Sequence, residues 1–169
     1  MYRRYRSKRQ KALLSGMLEI IGIDHIYIAV ADLALSEAFY DRAFTALGFR
    51  KGSFAIGGDD HVQYFNRHFG YVLRPARSSA LHDAYAPGLH HLCLRVESVA
   101  DVKAAEIALR NVGIEVSEAR NYKEYAPDYW AIFFSDPDGV RLELTNYRQE
   151  RRHRHTHWHG MQAEENQND

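Results

Sequence analysis

Three side chains in this sequence have the chemistry of divalent-metal ligands, namely His25, His91 and Glu143. His25 ends the tetrapeptide Gly-Ile-Asp-His and His91 ends Gly-Leu-His-His, so the two imidazoles recur at the same place of a repeated motif. Neutral imidazole and ionised carboxylate bind Fe²⁺, Mn²⁺, Zn²⁺ or Ni²⁺ and leave coordination positions open for water or substrate. The three residues therefore predict metal-assisted chemistry, provided that the fold brings them together.

The two histidines belong to an internal duplication with a period of about 66 residues, in which residues 22–30 match residues 88–96. A helical pattern follows each motif, over 36–47 and 99–112, and ends at a glycine. Strands are predicted at 49–54, 61–65 and 69–73 in the first copy. In the second copy they are predicted at 114–116 and on both sides of the turn Asp-Pro-Asp-Gly at 136–139. This order predicts an α+β fold of two βαβββ modules that must pair to bury their sheets.

Strand alternation indicates which way the candidate ligands face. The aliphatic residues of each first strand must cover a helix, which places His25, Tyr27 and His91 on the opposite face of their sheets. Leu142 and Leu144 place Glu143 on that same face by the same parity. If the two sheets curl around a common cleft, all three ligands point into it, and Tyr27 can donate a hydrogen bond to a metal-bound oxygen.

Other residues of similar chemistry are assigned to different roles. A histidine on a strand is commonly a hydrogen-bonded residue without a metal. The repeated position, with a glutamate on the matching face, favours His25 and His91 as ligands. Parity places His90 on the helix side or at an edge. His61 and His68 lie in predicted hairpins and are expected at the surface, while Cys93 is expected to be a buried, inert thiol.

Composition restricts the class of protein. The formal net charge of zero argues against a dedicated nucleic-acid or membrane-surface binder, and no apolar run reaches membrane-spanning length. The single cysteine and the absence of a signal sequence predict a cytoplasmic protein. We expect a basic disordered tail over 1–19, the paired modules over 20–148 (20–75 and 87–148), and a His-rich disordered tail over 149–169.

The duplicated unit, the two histidine motifs and the segment Asp-Pro-Asp-Gly-Val-Arg-Leu-Glu resemble the vicinal oxygen chelate superfamily, which contains glyoxalases, bleomycin-resistance proteins and extradiol dioxygenases. The resemblance covers residues 22–147 and implies a curled mixed sheet around a metal-binding cleft. It also implies His25, His91 and Glu143 as ligands, from the first strand of each module and the last strand of the second. Aligning Gly70 with Gly139 places Arg74 where the superfamily can have a fourth ligand.

Arg74 is a departure from the glyoxalase pattern, because a guanidinium cannot bind a cation. Three ligands resemble the 2-His-1-carboxylate arrangement of dioxygenases instead. Arg74 can hold an anionic substrate by a bidentate contact, or it can reach solvent or pair with an acidic residue. Tyr125 and Tyr129 precede the last hairpin and can close over a planar substrate, although ordinary core and edge packing explains them equally well.

The sequence thus predicts a divalent-metal-dependent enzyme acting on a small substrate with two adjacent oxygens, by lyase, isomerase or dioxygenase chemistry, with Glu143 and Tyr27 as its catalytic residues. The alternative is a metal-free small-molecule binding protein of the bleomycin-resistance type. A third interpretation is a dimer module without chemistry. The modules can pair within one chain or across a homodimer, and the sequence leaves both arrangements open.

Overall fold

The computed structural model describes residues 18–78 and 80–165, with side chains as far as Trp158. The first module consists of β1 (His25–Val30), α1 (Leu33–Ala46), β2 (Arg50–Ile56), β3 (Asp59–Phe65) and β4 (Gly70–Pro75). The second consists of β5 (His91–Val96), α2 (Val99–Asn111), β6 (Arg120–Asn121), β7 (Trp130–Ser135) and β8 (Arg141–Asn146). A third helix, α3 (Gln149–Glu165), follows. The predicted basic tail over 1–19 lies outside the described residues except for its last two.

Each module forms its own four-stranded mixed sheet, in the order β1-β4-β3-β2 or β5-β8-β7-β6. The first strand runs parallel to the last strand of its module, and the other neighbours are antiparallel. The predicted α+β architecture of two βαβββ modules is confirmed. The prediction of a strand at 114–116 is wrong. The segment that pairs with β7 is β6, which begins six residues further along the chain.

Local sequence signals explain where the two module helices begin and end. The Asp32 carboxylate accepts a hydrogen bond from the Leu35 amide at 3.0 Å, and Ser98 forms a capping box with Asp101. Gly48 and Gly113 follow the two helices with φ of +83° and +73°, a left-handed conformation that glycine adopts without steric cost. Both helices are thereby fixed over one face of their sheets.

The hydrophobic core lies on the helix side of both sheets. Helix α1 packs on the first sheet and α2 on the second, and the two helices contact each other. One continuous cluster joins Tyr40 and Phe44 of α1 with Leu109 of α2 and Leu142 of β8. We call the opposite face of each sheet its outer face. In β1 the residues of the outer face are exposed or partly exposed, whereas Ile28 and Val30 are buried, which confirms the predicted parity.

A buried hydrogen-bond network connects the two modules. The Tyr40 hydroxyl donates to Asp136 Oδ2 at 2.9 Å and lies 2.8 Å from the Tyr71 hydroxyl. Asp136 Oδ1 accepts the amides of Asp138 at 3.0 Å and Val140 at 2.8 Å. The turn before β8 is therefore anchored to α1 and β4 of the first module through one carboxylate.

Replacing Asp136 with alanine should lower the free energy of unfolding by about 2–4 kcal/mol, because it leaves the buried Tyr40 hydroxyl and two amides without an acceptor. Urea denaturation measures the change. Asp136→Asn is the matched control, since its amide oxygen can still accept the two turn amides, and it should cost much less. Equal losses in the two variants would contradict this role for the network.

The difference in unfolding free energy between the wild type and Asp136→Asn, measured by urea denaturation at several pH values, should depend on pH. Burial raises the pKa of the Asp136 carboxyl above its usual value, despite the opposing hydrogen bond from Tyr40. The folded protein then binds more protons than the unfolded chain between the two pKa values. The stability of the wild type relative to Asp136→Asn should therefore fall as the pH rises through that window.

The segment predicted to be a disordered tail contains α3 instead. Its first turn is held by contacts with the second module: the Gln149 amide donates to Asp128 at 2.9 Å, and Arg152 donates to the Glu97 carboxylate at 2.6 Å. Arg152 also lies over the Tyr147 ring at 4.3 Å. The prediction of disorder failed because the segment lacks the apolar periodicity that indicates a helix. The helix is stabilised by polar contacts with residues distant in sequence, which a local pattern does not reveal. Among the described residues, no helix is long and apolar enough to cross a membrane.

Candidate functional site

His91 and Glu143 meet on the outer face of the second module. His91 begins β5, and the parallel register places its neighbour Cys93 opposite Glu143 on β8. The His91 Nε2 atom lies 3.4 Å from Glu143 Oε2. The Glu143 side chain is 4% exposed and the His91 side chain is 43% exposed, so the pair is open toward solvent only on the imidazole side. Both residues line a cavity of about 250 Å³.

Tyr129 holds the second oxygen of the carboxylate. Its hydroxyl donates to Glu143 Oε1 at 2.6 Å, which directs Oε2 toward His91. Partial burial, followed by the hydrogen bond to Glu143, raises the pKa of the Tyr129 hydroxyl above its usual range, so the hydroxyl remains a donor. Tyr129 therefore contacts Glu143 directly, and the substrate contact suggested by the sequence stays a prediction.

The geometry of this pair fits a shared cation. Two donors that are each about 2.1 Å from one ion lie about 3.0 Å apart at a right angle and about 3.4 Å apart at a tetrahedral angle. The observed distance of 3.4 Å falls in that range. His91 Nδ1 has its own partner, His90 Nδ1 at 2.7 Å, which leaves Nε2 as the ring nitrogen that faces Glu143.

His25 lies on the outer face of the first module. Its Nδ1 atom is 2.7 Å from Asp24 Oδ2, and this contact leaves Nε2 as the other ring nitrogen. Tyr27 is next on the same face, with its ring centroid 5.4 Å from that of His25. Both residues line a cavity of about 560 Å³, which also contains Arg67 and His68.

The predicted ligands are thus divided between two half-sites in one chain. The cavity at His25 and the cavity at His91 and Glu143 have no lining residue in common. Among the described residues, no three His, Cys, Asp or Glu side chains are close enough together to hold an ion. The structure brings His91 and Glu143 together and does not bring His25 to them within the chain.

Arg74 is not the structural counterpart of Glu143. His25 pairs with Gly70 and His91 with Arg141, so the residue equivalent to Glu143 is Val72. The alignment through Gly70 and Gly139 was wrong by two residues, a shift that preserves parity and is therefore invisible to an alternation pattern. Arg74 Nη2 instead lies 2.6 Å from Asp59 Oδ2, the acidic pairing that the sequence analysis left open.

The remaining candidates have the following positions. Tyr125 is 63% exposed, and it lines the second cavity with its ring 5.4 Å from that of Tyr129. His61 was expected at the surface but is 3% exposed and stacks on Phe54. Cys93 was expected to be buried, but the residue is exposed. Desolvation of its sulfur and the nearby charge of Glu143 raise the pKa of the thiol to about 12, so the thiol is protonated at neutral pH.

Two further residues line the second cavity: Arg141, to which the sequence reasoning gave no role, and His90, which it placed on the helix side or at an edge. Arg141 Nη1 lies 3.5 Å from His90 Nε2 and 3.5 Å from the Tyr85 hydroxyl. The signal for Arg141 was present, because it precedes Glu143 by two residues on a strand and therefore shares its face. His90 ends the linker just before β5, where alternation no longer determines direction.

A family model described as the Glyoxalase/Bleomycin resistance protein/Dioxygenase superfamily matches residues 22–144. The chain belongs to this superfamily. The match covers both modules and confirms the resemblance that the histidine motifs and the last hairpin indicated. The members compared below share the fold of the superfamily, whereas their activities are their own.

Two relatives and one solved structure illustrate its range. The uncharacterized protein YaeR of Escherichia coli is 32% identical over 141 residues, covering 76% of this chain and 98% of YaeR. Metallothiol transferase FosB of Bacillus licheniformis is 28% identical over 130 residues, covering 75% of each chain. A glutamine variant of the fosfomycin resistance protein FosX of Listeria monocytogenes, complexed with Mn(II) and 1S,2S-dihydroxypropylphosphonic acid, superposes with a TM-score of 0.59 at 19% identity, covering 79% of this chain and 98% of FosX.

Proposed function

We propose that this superfamily member is a divalent-metal-dependent enzyme whose metal site is completed by a second copy of the chain. The observation that carries the proposal is the 3.4 Å approach of His91 Nε2 to Glu143 Oε2 in an open cavity. Two ligands are preorganised there. The third ligand would be His25, which lies on the outer face of the other module and has its Nε2 atom available. Two copies related by a twofold axis would supply each site with His25 from one copy and His91 and Glu143 from the other.

The outer faces have the properties of surfaces that can pair. Tyr27 is 43% exposed on the first module and Tyr125 is 63% exposed on the second, so large aromatic side chains on both faces contact solvent in one chain. Burying such rings is favourable, and aromatic residues are enriched in interfaces. In such a dimer the first module of each copy would pack against the second module of its partner. Each of these two contacts would cover one outer face of each kind and would join the cavity at His25 to the partner's cavity at His91 and Glu143.

The number of ligands follows from the register. Val72 occupies the place equivalent to Glu143, so the first module contributes only His25. A 2-His-1-carboxylate set leaves positions on the cation for a substrate that offers two adjacent oxygens. When bound, Zn²⁺ or Ni²⁺ would supply Lewis-acid chemistry, which suits a lyase or isomerase, whereas Fe²⁺ or Mn²⁺ would supply the O₂-binding chemistry of a dioxygenase.

The chain's own residues have separate tasks in this proposal. Glu143 binds the ion, and Tyr129 keeps its carboxylate oriented through the 2.6 Å hydrogen bond. On the other module Asp24 contacts Nδ1 of His25, so Nε2 is the nitrogen that would bind the ion. Tyr27, beside His25, presents a hydroxyl that can donate to a substrate oxygen and stabilise negative charge that develops there.

The test is a metal titration of the full chain together with its oligomeric state by analytical ultracentrifugation. His153 and His157, whose rings are 4.2 Å apart on α3, can bind ions themselves, so both are replaced by alanine in every sample. We expect a dimer that binds one divalent ion per chain. A dimer that binds no ion but binds a planar small molecule without metal would refute the proposal and support the metal-free binding protein.

A further inference from the structure

Arg141 is a cation in the candidate site whose charge has no carboxylate partner among the described residues. Its Nη1 atom lies 3.5 Å from the Tyr85 hydroxyl and 3.5 Å from His90 Nε2, and neither of these atoms belongs to a carboxylate. Arg74 provides the contrast, because Asp59 neutralises it at 2.6 Å. Arg141 lines the same cavity as His91 and Glu143, so its unpaired charge faces the space where a substrate would bind.

The hydrogen bond between His90 and His91 determines whether His90 Nε2, the atom that faces Arg141, is a donor or an acceptor. His90 Nδ1 and His91 Nδ1 are 2.7 Å apart, so one of them carries the proton and the other accepts it. When His91 Nε2 gives its lone pair to an ion, its proton must be on Nδ1, and His90 Nδ1 becomes the acceptor. The proton of His90 is then on Nε2, which faces the Arg141 guanidinium.

Two N–H groups, one of Arg141 and one of His90, would then face each other across 3.5 Å. Such an arrangement is unfavourable unless a third group accepts both hydrogen bonds. An oxyanion does this best, because hydrogen bonds from a guanidinium to an anion are charge-assisted and can be bidentate. The Tyr85 hydroxyl accepts a long hydrogen bond of 3.5 Å from the same guanidinium nitrogen and is a third polar group beside the pair.

We propose that Arg141 and His90 form a subsite for the anionic group of the substrate, a carboxylate or a tetrahedral phosphorus oxyanion, beside the metal ligands. The proposal rests on the function proposed above and narrows its substrate to an anion. It moves anion recognition from Arg74, where the sequence suggested it, to the first residue of β8. The cavity of about 250 Å³ suits a small anion.

The experiment measures binding of inorganic phosphate and of acetate by isothermal titration calorimetry, with and without one equivalent of Mn²⁺. The variants are Arg141→Met and, as a matched loss of one exposed guanidinium elsewhere, Arg77→Met, whose side chain is 81% exposed. We expect Arg141→Met to weaken binding of the preferred anion about 10–100-fold, from the loss of charge-assisted hydrogen bonds. Arg77→Met should bind as the wild type does, and the preferred anion identifies the substrate group.

This experiment distinguishes failure of the anion subsite from failure of the proposed metal site. If Arg141→Met keeps its Mn²⁺ affinity and loses the anion, the subsite is supported. If Arg141→Met and Arg77→Met bind both anions as the wild type does, the subsite is refuted, even when the ion binds as proposed. If no variant binds Mn²⁺, the metal site fails, and the comparison between the two arginine variants still decides whether Arg141 holds an anion.

Discussion

Replacing His91 with alanine should abolish stoichiometric binding of a divalent ion by the full chain. The substitution removes one of the two preorganised donors and leaves the other, Glu143, with one oxygen bonded to Tyr129. Loss of a group that only orients a ligand typically costs 10–100-fold in metal affinity, so loss of the ligand itself should exceed about 100-fold. Metal titration of the variant in the His153→Ala/His157→Ala background measures this.

Two further variants make the result specific. Tyr129→Phe removes only the hydrogen bond to Glu143 and should weaken metal binding by about 10–100-fold. His68→Ala removes an exposed imidazole that lines the first cavity and that we do not assign as a ligand, so its affinity should match the wild type. Full metal occupancy in His91→Ala, or equal losses in His91→Ala and His68→Ala, would contradict the assignment of His91.

The direction of the candidate ligands could be predicted from sequence because a sheet with one covered face imposes a period of two. His25 and His91 alternate with aliphatic residues that must bury, and the structure places both on the outer faces as expected. Glu143 follows the same rule on β8, although it is itself buried at 3% exposure. Parity is a strong constraint since its violation would expose an entire hydrophobic face.

The arrangement along and between strands could not be predicted in the same way. Placing Arg74 opposite Glu143 required the lengths of two hairpin turns, and a two-residue error leaves every side chain on its correct face. The ion pair of Arg74 with Asp59 depends on how β2 and β3 meet β4. The helix α3 depends on Glu97 and Asp128, which the local sequence of the segment does not contain.

Separation of the two half-sites has a similar origin. The repeat predicts that both sheets need a partner, but it does not specify whether the partner is in the same chain. In this structure the helices of the two modules contact each other and share one core, so neither module helix covers an outer face in the part of the chain that the structure describes. The association of modules is therefore the step at which local patterns lose their predictive value and the oligomer must be measured.

Co-expression of two differently tagged variants, His25→Ala and Glu143→Gln, should restore metal sites that neither variant has alone. In a mixed dimer, His25 of the Glu143→Gln copy meets His91 and Glu143 of the His25→Ala copy and forms one intact site. The other site of that dimer loses both residues. Tandem purification through both tags should therefore yield dimers with about half of the wild-type metal content, whereas each homodimer should contain almost none.

Complementation of this kind separates pairing between chains from pairing within a chain. If His25 reached His91 and Glu143 of its own chain, every chain in the mixture would lack one ligand, and no mixing could restore a site. Metal analysis of the doubly purified dimers thus has two clearly different outcomes, about half occupancy or none. The second outcome, together with metal binding by the wild type, would show that the modules close on each other within one chain and that the separate half-sites described above rearrange when the ion binds.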